Sequence, residues 1–206
     1  MKKILFIFFV ILINNTNFAQ LRMNILKPNN STETIWVHDA RAITFDEVTF
    51  TCGGTIIYSG QSYNTILIGS QCWLKENLNV GTKINGSEEQ LNNSTLEKYC
   101  YDNNETNCNT YGGLYQWAEA VQYQNGATNF TSPSPAFTGN VQGICPTGWH
   151  IPTKAEFEIL NITVGDDGDI LKDASGFSAL FAGYRNYGGY GGNFLELGDI
   201  TRFRSS

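Results

Sequence analysis

The sequence predicts an α+β domain made of small, twisted antiparallel sheets, two short helices and long loops, held together by disulfide bonds. Its 21 glycines and only 16% charged residues are typical of strands joined by turns rather than of long helices. Five cysteines follow an export-type N-terminus, which favours disulfide bonds over free thiols. One helix start is marked in the sequence itself, by Thr153 and Glu156.

The N-terminus has the features of a secretory signal peptide. Lys2 and Lys3 precede an unbroken apolar run at residues 4–13, and Ala19 follows a short polar stretch. A helix that spans a bilayer needs about 20 apolar residues, so this run is too short for one. We expect residues 1–19 to be removed, which leaves a secreted or cell-surface protein without a membrane span. The alternative is that the run forms a buried strand or helix.

The charge of the chain limits the partners that suit it. Its 19 acidic and 13 basic residues give a formal charge of −6, and loss of Lys2 and Lys3 makes the mature chain more acidic still. Nucleic acids and anionic membranes require clustered lysine and arginine, so we expect neither as a partner.

Residues 20–50 are predicted to form an N-terminal leader with one or two short strands. Residues 20–35 are polar and turn-prone and need not be ordered. Ile35 and Val37, and then residues 43–50, alternate apolar with polar side chains as short strands do. The remaining residues, 51–206, are expected to form the folded domain.

That domain is predicted to begin with a β-hairpin. Residues 56–58 and 65–68 are strand-like and bracket a turn that contains glycine. Cys52 and Cys72 flank this hairpin and make a natural disulfide pair. Residues 81–97 are rich in Asn, Ser, Thr and Gly, which indicates a surface loop.

The other three cysteines predict one further bridge and one unmatched thiol. Cys100 and Cys108 flank the turn-rich residues 102–107, so a local bridge closes this loop easily. Cys145 is then left over, and a buried free thiol is one explanation. A zinc site is excluded because the chain has no Cys-x2-Cys spacing and only two histidines.

Two helices are predicted. Apolar residues at helical spacing mark the first, and they are Leu114, Trp117, Ala118 and Val121. The second begins at a capping box, in which the Thr153 hydroxyl accepts from the Glu156 amide and the Glu156 carboxylate accepts from the Thr153 amide. We expect this helix to run from Lys154 until Gly165 ends it.

The last part of the domain is predicted to return to strands. Residues 176–180 and 181–185 read as buried strand interrupted by glycine, and residues 188–192 form a glycine-rich loop. Residues 200–203 are a last strand-like element just before the chain ends.

Five ordered sequence blocks between residues 52 and 206 carry a family resemblance. They are IGSQCWLKENL (68–78), YCYDNN (99–104) with Cys108, YGGLYQW (111–117), GICPTGWHIPT (143–153), and GFSAL with AGYR (176–180 and 182–185). On these blocks the chain resembles the Fibrobacter succinogenes major paralogous domain family, which is also frequent in exported proteins of Bacteroidetes-type bacteria.

The resemblance implies a C-type lectin-like fold, in which a long-range bridge joins the region of the capped helix to a late strand. Family members continue past a Trp-Ser-Ser-type motif, which residues 203–206 echo, to a terminal strand that bears a cysteine. The resemblance therefore implies a chain truncated at its C-terminus, in which Cys145 has lost its partner. Residues 200–203 would then lie on an open edge, and the protein would be prone to aggregate.

Four residues near the glycine tract are the candidate ligand-binding set, and they are Tyr184, Arg185, Tyr187 and Tyr190. Aromatic faces stack on the apolar faces of sugars, while arginine donates hydrogen bonds to hydroxyl groups. The alternative is that these tyrosines only pack strands and loops.

No residue set predicts catalysis. His150 as a general base would need a nucleophile and an orienting carboxylate that the sequence does not place beside it, and a structural role is the alternative. Residues 148–157 are also similar to a scaffold segment of formylglycine-generating enzymes. The reactive cysteines of those enzymes lie in a C-terminal stretch that has no counterpart here, so we expect no enzymatic activity.

No cofactor is expected, and calcium is the alternative. Asp166, Asp167 and Asp169 around Gly168 offer the oxygen ligands that calcium prefers. Their spacing departs from a calcium-binding loop, which favours a solvated acidic loop after the capped helix.

Together these observations predict an exported, non-catalytic, disulfide-bonded domain that binds an extracellular glycan or protein in an adhesion role. One alternative is a structural surface module without a discrete ligand. The other is a remote relative of formylglycine-generating-type enzymes that lacks the catalytic segment.

Overall fold

The computed structural model describes residues 21–26, 32–37, 50–173, 176–186 and 192–206, and the chain divides into two compact units, Met1–Thr49 and Phe50–Ser206. The first unit contains an antiparallel pair, β1 (Leu21–Leu26) and β2 (Thr32–Val37). This pair lies within the predicted leader of residues 20–50, and the backbone groups of β1 pair with those of β2. The predicted signal peptide and the apolar alternation after Val37 lie outside the described residues.

The second unit opens with a three-stranded antiparallel meander of β3 (Thr55–Tyr58), β4 (Gln61–Ile68) and β5 (Gln71–Leu74). Ser59 and Gly60 both have positive φ, which suits the tight turn of the predicted hairpin. The predicted Cys52–Cys72 disulfide is present and ties the start of the hairpin to β5.

A short pair of parallel strands occurs in the segment that we predicted as a loop. β6 (Thr82–Lys83) pairs with β7 (Glu97–Lys98), so the prediction of loop throughout and of antiparallel sheets alone is wrong here. The described residues contain four helices rather than two. The first, α1 (Glu105–Tyr111), begins where we predicted a loop, because the Asn104 side chain accepts from the Thr106 amide and caps it.

The Cys100–Cys108 disulfide, also predicted, joins the residues before α1 to the helix itself. The next helix, α2 (Trp117–Ala120), is shorter than the apolar spacing predicts. Leu114 lies outside it, because its backbone forms an isolated bridge with Tyr99.

The longest helix is α3 (Lys154–Thr163), and it begins at the predicted capping box of Thr153 and Glu156. A further helix, α4 (Gly168–Lys172), follows where we predicted an acidic loop. Asp167 caps α4 by accepting from the Asp169 amide, so the acidic residues start a helix rather than remain a solvated turn.

The last antiparallel pair is β8 (Ala182–Arg185) with β9 (Phe194–Leu197). Residues 176–180 are not a strand, because Phe177 is buried against Trp73 and Ser178 takes a positive φ. Residues 200–203 contribute only an isolated parallel bridge from Thr201 to Gly183, so the predicted strand there is also wrong.

The second unit has two apolar clusters rather than one continuous core. One cluster is centred on buried residues of α2 and the following loop: Ala120, Val121, Ala127, Val141, Ile144 and Ile151. The other joins β5 to α3 through Trp73, Leu160, Val164 and Phe177. Among the described residues, the helices are all too short to cross a membrane.

Candidate ligand-binding site

A groove of about 690 Å³ lies in the second unit and is lined by residues of both apolar clusters. Its lining includes four segments, which are β5, residues 144–152, β8 and residues 201–204. These segments are far apart in the sequence, and we refer to the space between them as the groove. Its volume falls in the range of ligand pockets, about 300–1,000 Å³.

Four aromatic side chains form one wall of the groove. The Trp73 ring lies 5.5 Å from Phe157 and 5.4 Å from Phe177, between ring centroids. Phe203 completes the set, with centroid distances of 6.0 Å to Phe157 and 5.5 Å to Phe177. Rings at these spacings stabilise one another, so the four side chains form one packed aromatic cluster.

A second aromatic pair lies at the groove, formed by Phe50 and Trp149. Their centroids are 5.5 Å apart in an edge-to-face arrangement, and Phe50 is 49% exposed. Trp149 is half-buried, so part of its surface remains open to a ligand. This pair is an accessible aromatic surface at the groove, and it is distinct from the tyrosines that we predicted beside the glycine tract.

Two buried polar atoms of β5 have no hydrogen-bond partner among the described residues, namely Trp73 Nε1 and Gln71 Oε1. The two residues are two positions apart on one strand, so their side chains lie on the same face. One is a donor and the other an acceptor, and leaving such groups unpaired is costly. Both atoms are buried from solvent, so they are unpaired groups of the interior beside β5 rather than donors and acceptors offered to the groove.

A polar corner is built from the start of α3. The Glu156 carboxylate accepts from the Thr153 amide at 2.8 Å with one oxygen, and its other oxygen lies 2.8 Å from His150 Nε2. Partial burial alone would raise the pKa of Glu156. The hydrogen bonds from the Thr153 amide and His150 outweigh it, so the pKa is lowered. The structure thus gives His150 the orienting carboxylate that the sequence did not reveal.

No activated nucleophile accompanies this pair among the residues described. Cys145 lines the groove as a free thiol, and burial raises its pKa to about 12. A catalytic cysteine has a lowered pKa, because the thiolate is the reactive form. Cys145 is therefore a partly buried thiol of low reactivity.

The predicted ligand-binding residues do not act as one set. Tyr184 and Arg185 lie on β8 and line the groove, whereas Tyr187 and Tyr190 lie outside the described residues. The Arg185 guanidinium is already engaged: it donates to the Gly86 carbonyl at 2.7 Å and forms an ion pair with Glu89 at 2.7 Å. Its side chain is 5% exposed, so Arg185 anchors the loop that follows β6.

Sequence reasoning missed two arginines of the groove, Arg202 and Arg204. The Arg202 guanidinium lies 3.6 Å from the centroid of the Tyr184 ring and covers one face of it. Partial burial and then the charge of Arg202 lower the pKa of Arg204. The available signal was an Arg-Phe-Arg triplet in a chain with few basic residues.

The residues considered for metal binding have other partners. Asp167 caps α4, Asp169 pairs with Lys172, and Asp166 accepts from Asn161 at 2.5 Å. One group of three potential metal ligands occurs among the described residues, formed by Cys100, Glu105 and Cys108. Its two sulfurs form a disulfide bond, so the group is not a metal centre.

Comparison with known proteins agrees with the family resemblance. Neither the curated proteins nor the solved structures contain a match to this chain. The family model described as Fibrobacter succinogenes major domain matches residues 66–206, which includes β5, residues 144–152, β8 and residues 201–204 of the groove lining. This match covers more than half of the chain, and the protein therefore belongs to the Fibrobacter succinogenes major domain family.

Proposed function

We propose that this protein is an exported, non-catalytic binding domain of C-type lectin-like fold, which recognises a carbohydrate in the groove at the cell surface or in secreted form. The observation that carries the proposal is the groove itself: about 690 Å³, lined by aromatic rings and by polar side chains that include His150, Arg202 and Arg204. Sugars present apolar faces and hydroxyl groups together, and this combination of wall types matches both.

The accessible aromatic groups determine where the sugar ring would stack. Arg202 covers one face of Tyr184, so Tyr184 offers a limited surface. Trp149 and Phe50 keep exposed ring surface beside the groove and are the better stacking residues. We therefore assign sugar stacking to Trp149, with Tyr184 as a flanking contact.

The polar corner supports binding rather than catalysis. His150 and Glu156 resemble a base with its orienting group, but both Glu156 oxygens are also committed to the helix cap and to His150. The one free thiol at the groove has a pKa raised to about 12, which disfavours a nucleophilic role. We assign the corner to positioning the segment that carries Trp149.

A glycan array tests the proposal against the rival role of a structural module. We expect the wild-type chain to bind a defined set of glycans, and Trp149→Ala to lose that binding by about tenfold or more because stacking surface is removed. Tyr111→Ala is the matched control, since Tyr111 lies on α1 and does not line the groove. Thermal melting of each variant checks that the fold persists.

Absence of glycan binding by a wild-type protein that melts cooperatively would contradict the proposal and favour the structural module. Equal losses in Trp149→Ala and Tyr111→Ala would show that the groove is not the site.

A further inference from the structure

The basic residues of the second unit differ in their partners. Five of them pair with a carboxylate, and they are Lys83, Lys98, Lys154, Lys172 and Arg185. Within the described part of the chain, neither Arg202 nor Arg204 lies within 4.0 Å of a carboxylate. In a chain with 19 acidic and 13 basic residues, two adjacent unpaired arginines at one groove call for an explanation.

The segment that carries both arginines is held in place on both sides. The Gly183 amide donates to the Ile200 carbonyl at 2.8 Å, and Trp117 Nε1 donates to the Ser205 carbonyl at 2.9 Å. Gly183 is required at the first contact, because its φ is +63° and a Cβ would lie 2.6 Å from the Leu195 carbonyl oxygen. The backbone around the arginines is therefore fixed before any ligand arrives.

The side chain of Arg202 is oriented as well. Its guanidinium stacks on Tyr184 at 3.6 Å, a cation–π contact that holds the planar group without using its N–H donors. Arg204 lines the same groove two residues later, and burial and then the like charge of Arg202 lower the pKa of Arg204, the direction expected for two neighbouring cations that repel each other. A bound anion would relieve this repulsion and would use the free N–H groups.

We propose that the groove binds an anionic saccharide, whose carboxylate or sulfate group is held by Arg202 and Arg204 while its ring contacts Trp149. This inference rests on the proposed carbohydrate-binding function and names the class of sugar. A guanidinium binds a carboxylate or sulfate through two parallel N–H donors, which gives both charge and geometry. The neutral remainder of the sugar then faces the aromatic walls.

Calorimetric titration of the full chain tests this assignment with three probes: oligogalacturonate, a chondroitin sulfate oligosaccharide and neutral cellohexaose. We expect an acidic probe to bind at least tenfold more tightly than cellohexaose, and the difference to shrink as salt is raised. Oligogalacturonate carries carboxylates only, whereas chondroitin sulfate carries carboxylates and sulfate esters, so binding of the second probe without the first would assign recognition to the sulfate.

Variants of the two arginines localise the effect. Arg202→Gln and Arg204→Gln should each weaken binding of the acidic probe by about tenfold, with little change for cellohexaose. Lys154→Gln is the matched control, since it removes the same charge from a residue that is 84% exposed and does not line the groove. Arg202→Lys keeps the charge but loses the planar fork, and should retain part of the affinity.

Three outcomes would overturn the inference, and they are distinguishable from failure of carbohydrate binding itself. Equal binding of acidic and neutral sugars would leave a carbohydrate site but not an anionic one. Equal losses of affinity for the acidic probe in Arg202→Gln and Lys154→Gln would show that binding depends on overall charge rather than on the groove. Tight binding of poly-glutamate in place of the sugars would indicate an acidic polypeptide as the ligand. Binding of no sugar at all would contradict both proposals.

Discussion

At the scale of single residues, the most unusual ionisable group is Glu119 on α2. Its side chain is 1% exposed, and one oxygen accepts from the Glu97 amide at 2.9 Å. Within the described residues, its other oxygen accepts no hydrogen bond of ordinary geometry, but the Tyr123 hydroxyl lies near enough to interact with the carboxylate. Burial raises the pKa of Glu119, and the neighbouring Glu97 carboxylate adds to the effect.

Glu119→Gln is expected to make stability less dependent on pH. A carboxyl group whose pKa is raised in the folded state stabilises the fold below its unfolded pKa, and that contribution is lost as pH rises through the folded pKa. The wild type should therefore lose stability above about pH 4.5, whereas the glutamine variant keeps a neutral group at this position. Urea unfolding of both proteins between pH 4 and pH 8 measures the difference.

Glu158→Gln is the control for that experiment, because Glu158 is exposed on α3 and pairs with Lys154. An unchanged pH profile in Glu119→Gln, or the same change in Glu158→Gln, would show that Glu119 is not the group responsible.

At the scale of secondary-structure elements, short sequence motifs predict where some helices begin. Contacts between residues far apart in the sequence could not be predicted. The start of α3 is predictable because both members of its capping box lie within four residues. The start of α1 depends on an Asn cap inside a run of turn-forming residues, and such residues favour caps and turns alike. Element type is therefore ambiguous there without the tertiary structure.

The short disulfide beside α1 provides a quantitative prediction at this scale. The bridge joins Cys100 to Cys108, eight residues apart, and loss of chain entropy on closing such a loop stabilises the fold by about 2–3 kcal/mol. Cys100→Ala/Cys108→Ala should lower the unfolding free energy by that amount, measured by urea denaturation. Cys145→Ala should change it by less than about 1 kcal/mol, because Cys145 has no bridge to lose.

A thiol assay of the denatured, unreduced wild type provides the companion measurement, with one free thiol expected per chain. Three free thiols, or equal destabilisation by the Cys145 and the double variants, would contradict the pairing.

At the scale of the whole molecule, the groove could not be predicted from the sequence. Tyr184 was selected from its local pattern, but Arg185 has a structural role and Arg202 takes the position beside the ring. The position of Arg202 beside Tyr184 depends on residues 200–206, which pack between β8 and the segment before α3. No local sequence pattern encodes this packing. The disulfides and the capped helix were predictable because each depends on residues close in sequence.

We claim that the groove binds a sugar against Trp149, and tryptophan fluorescence measures this binding at the residue itself. Two of the four tryptophans, Trp73 and Trp149, line the groove. Titration with the glycan that scores highest on the array should give a saturable change in emission that is largely lost in Trp149→Phe. A flat titration in the wild type, or an undiminished change in Trp149→Phe, would contradict the claim.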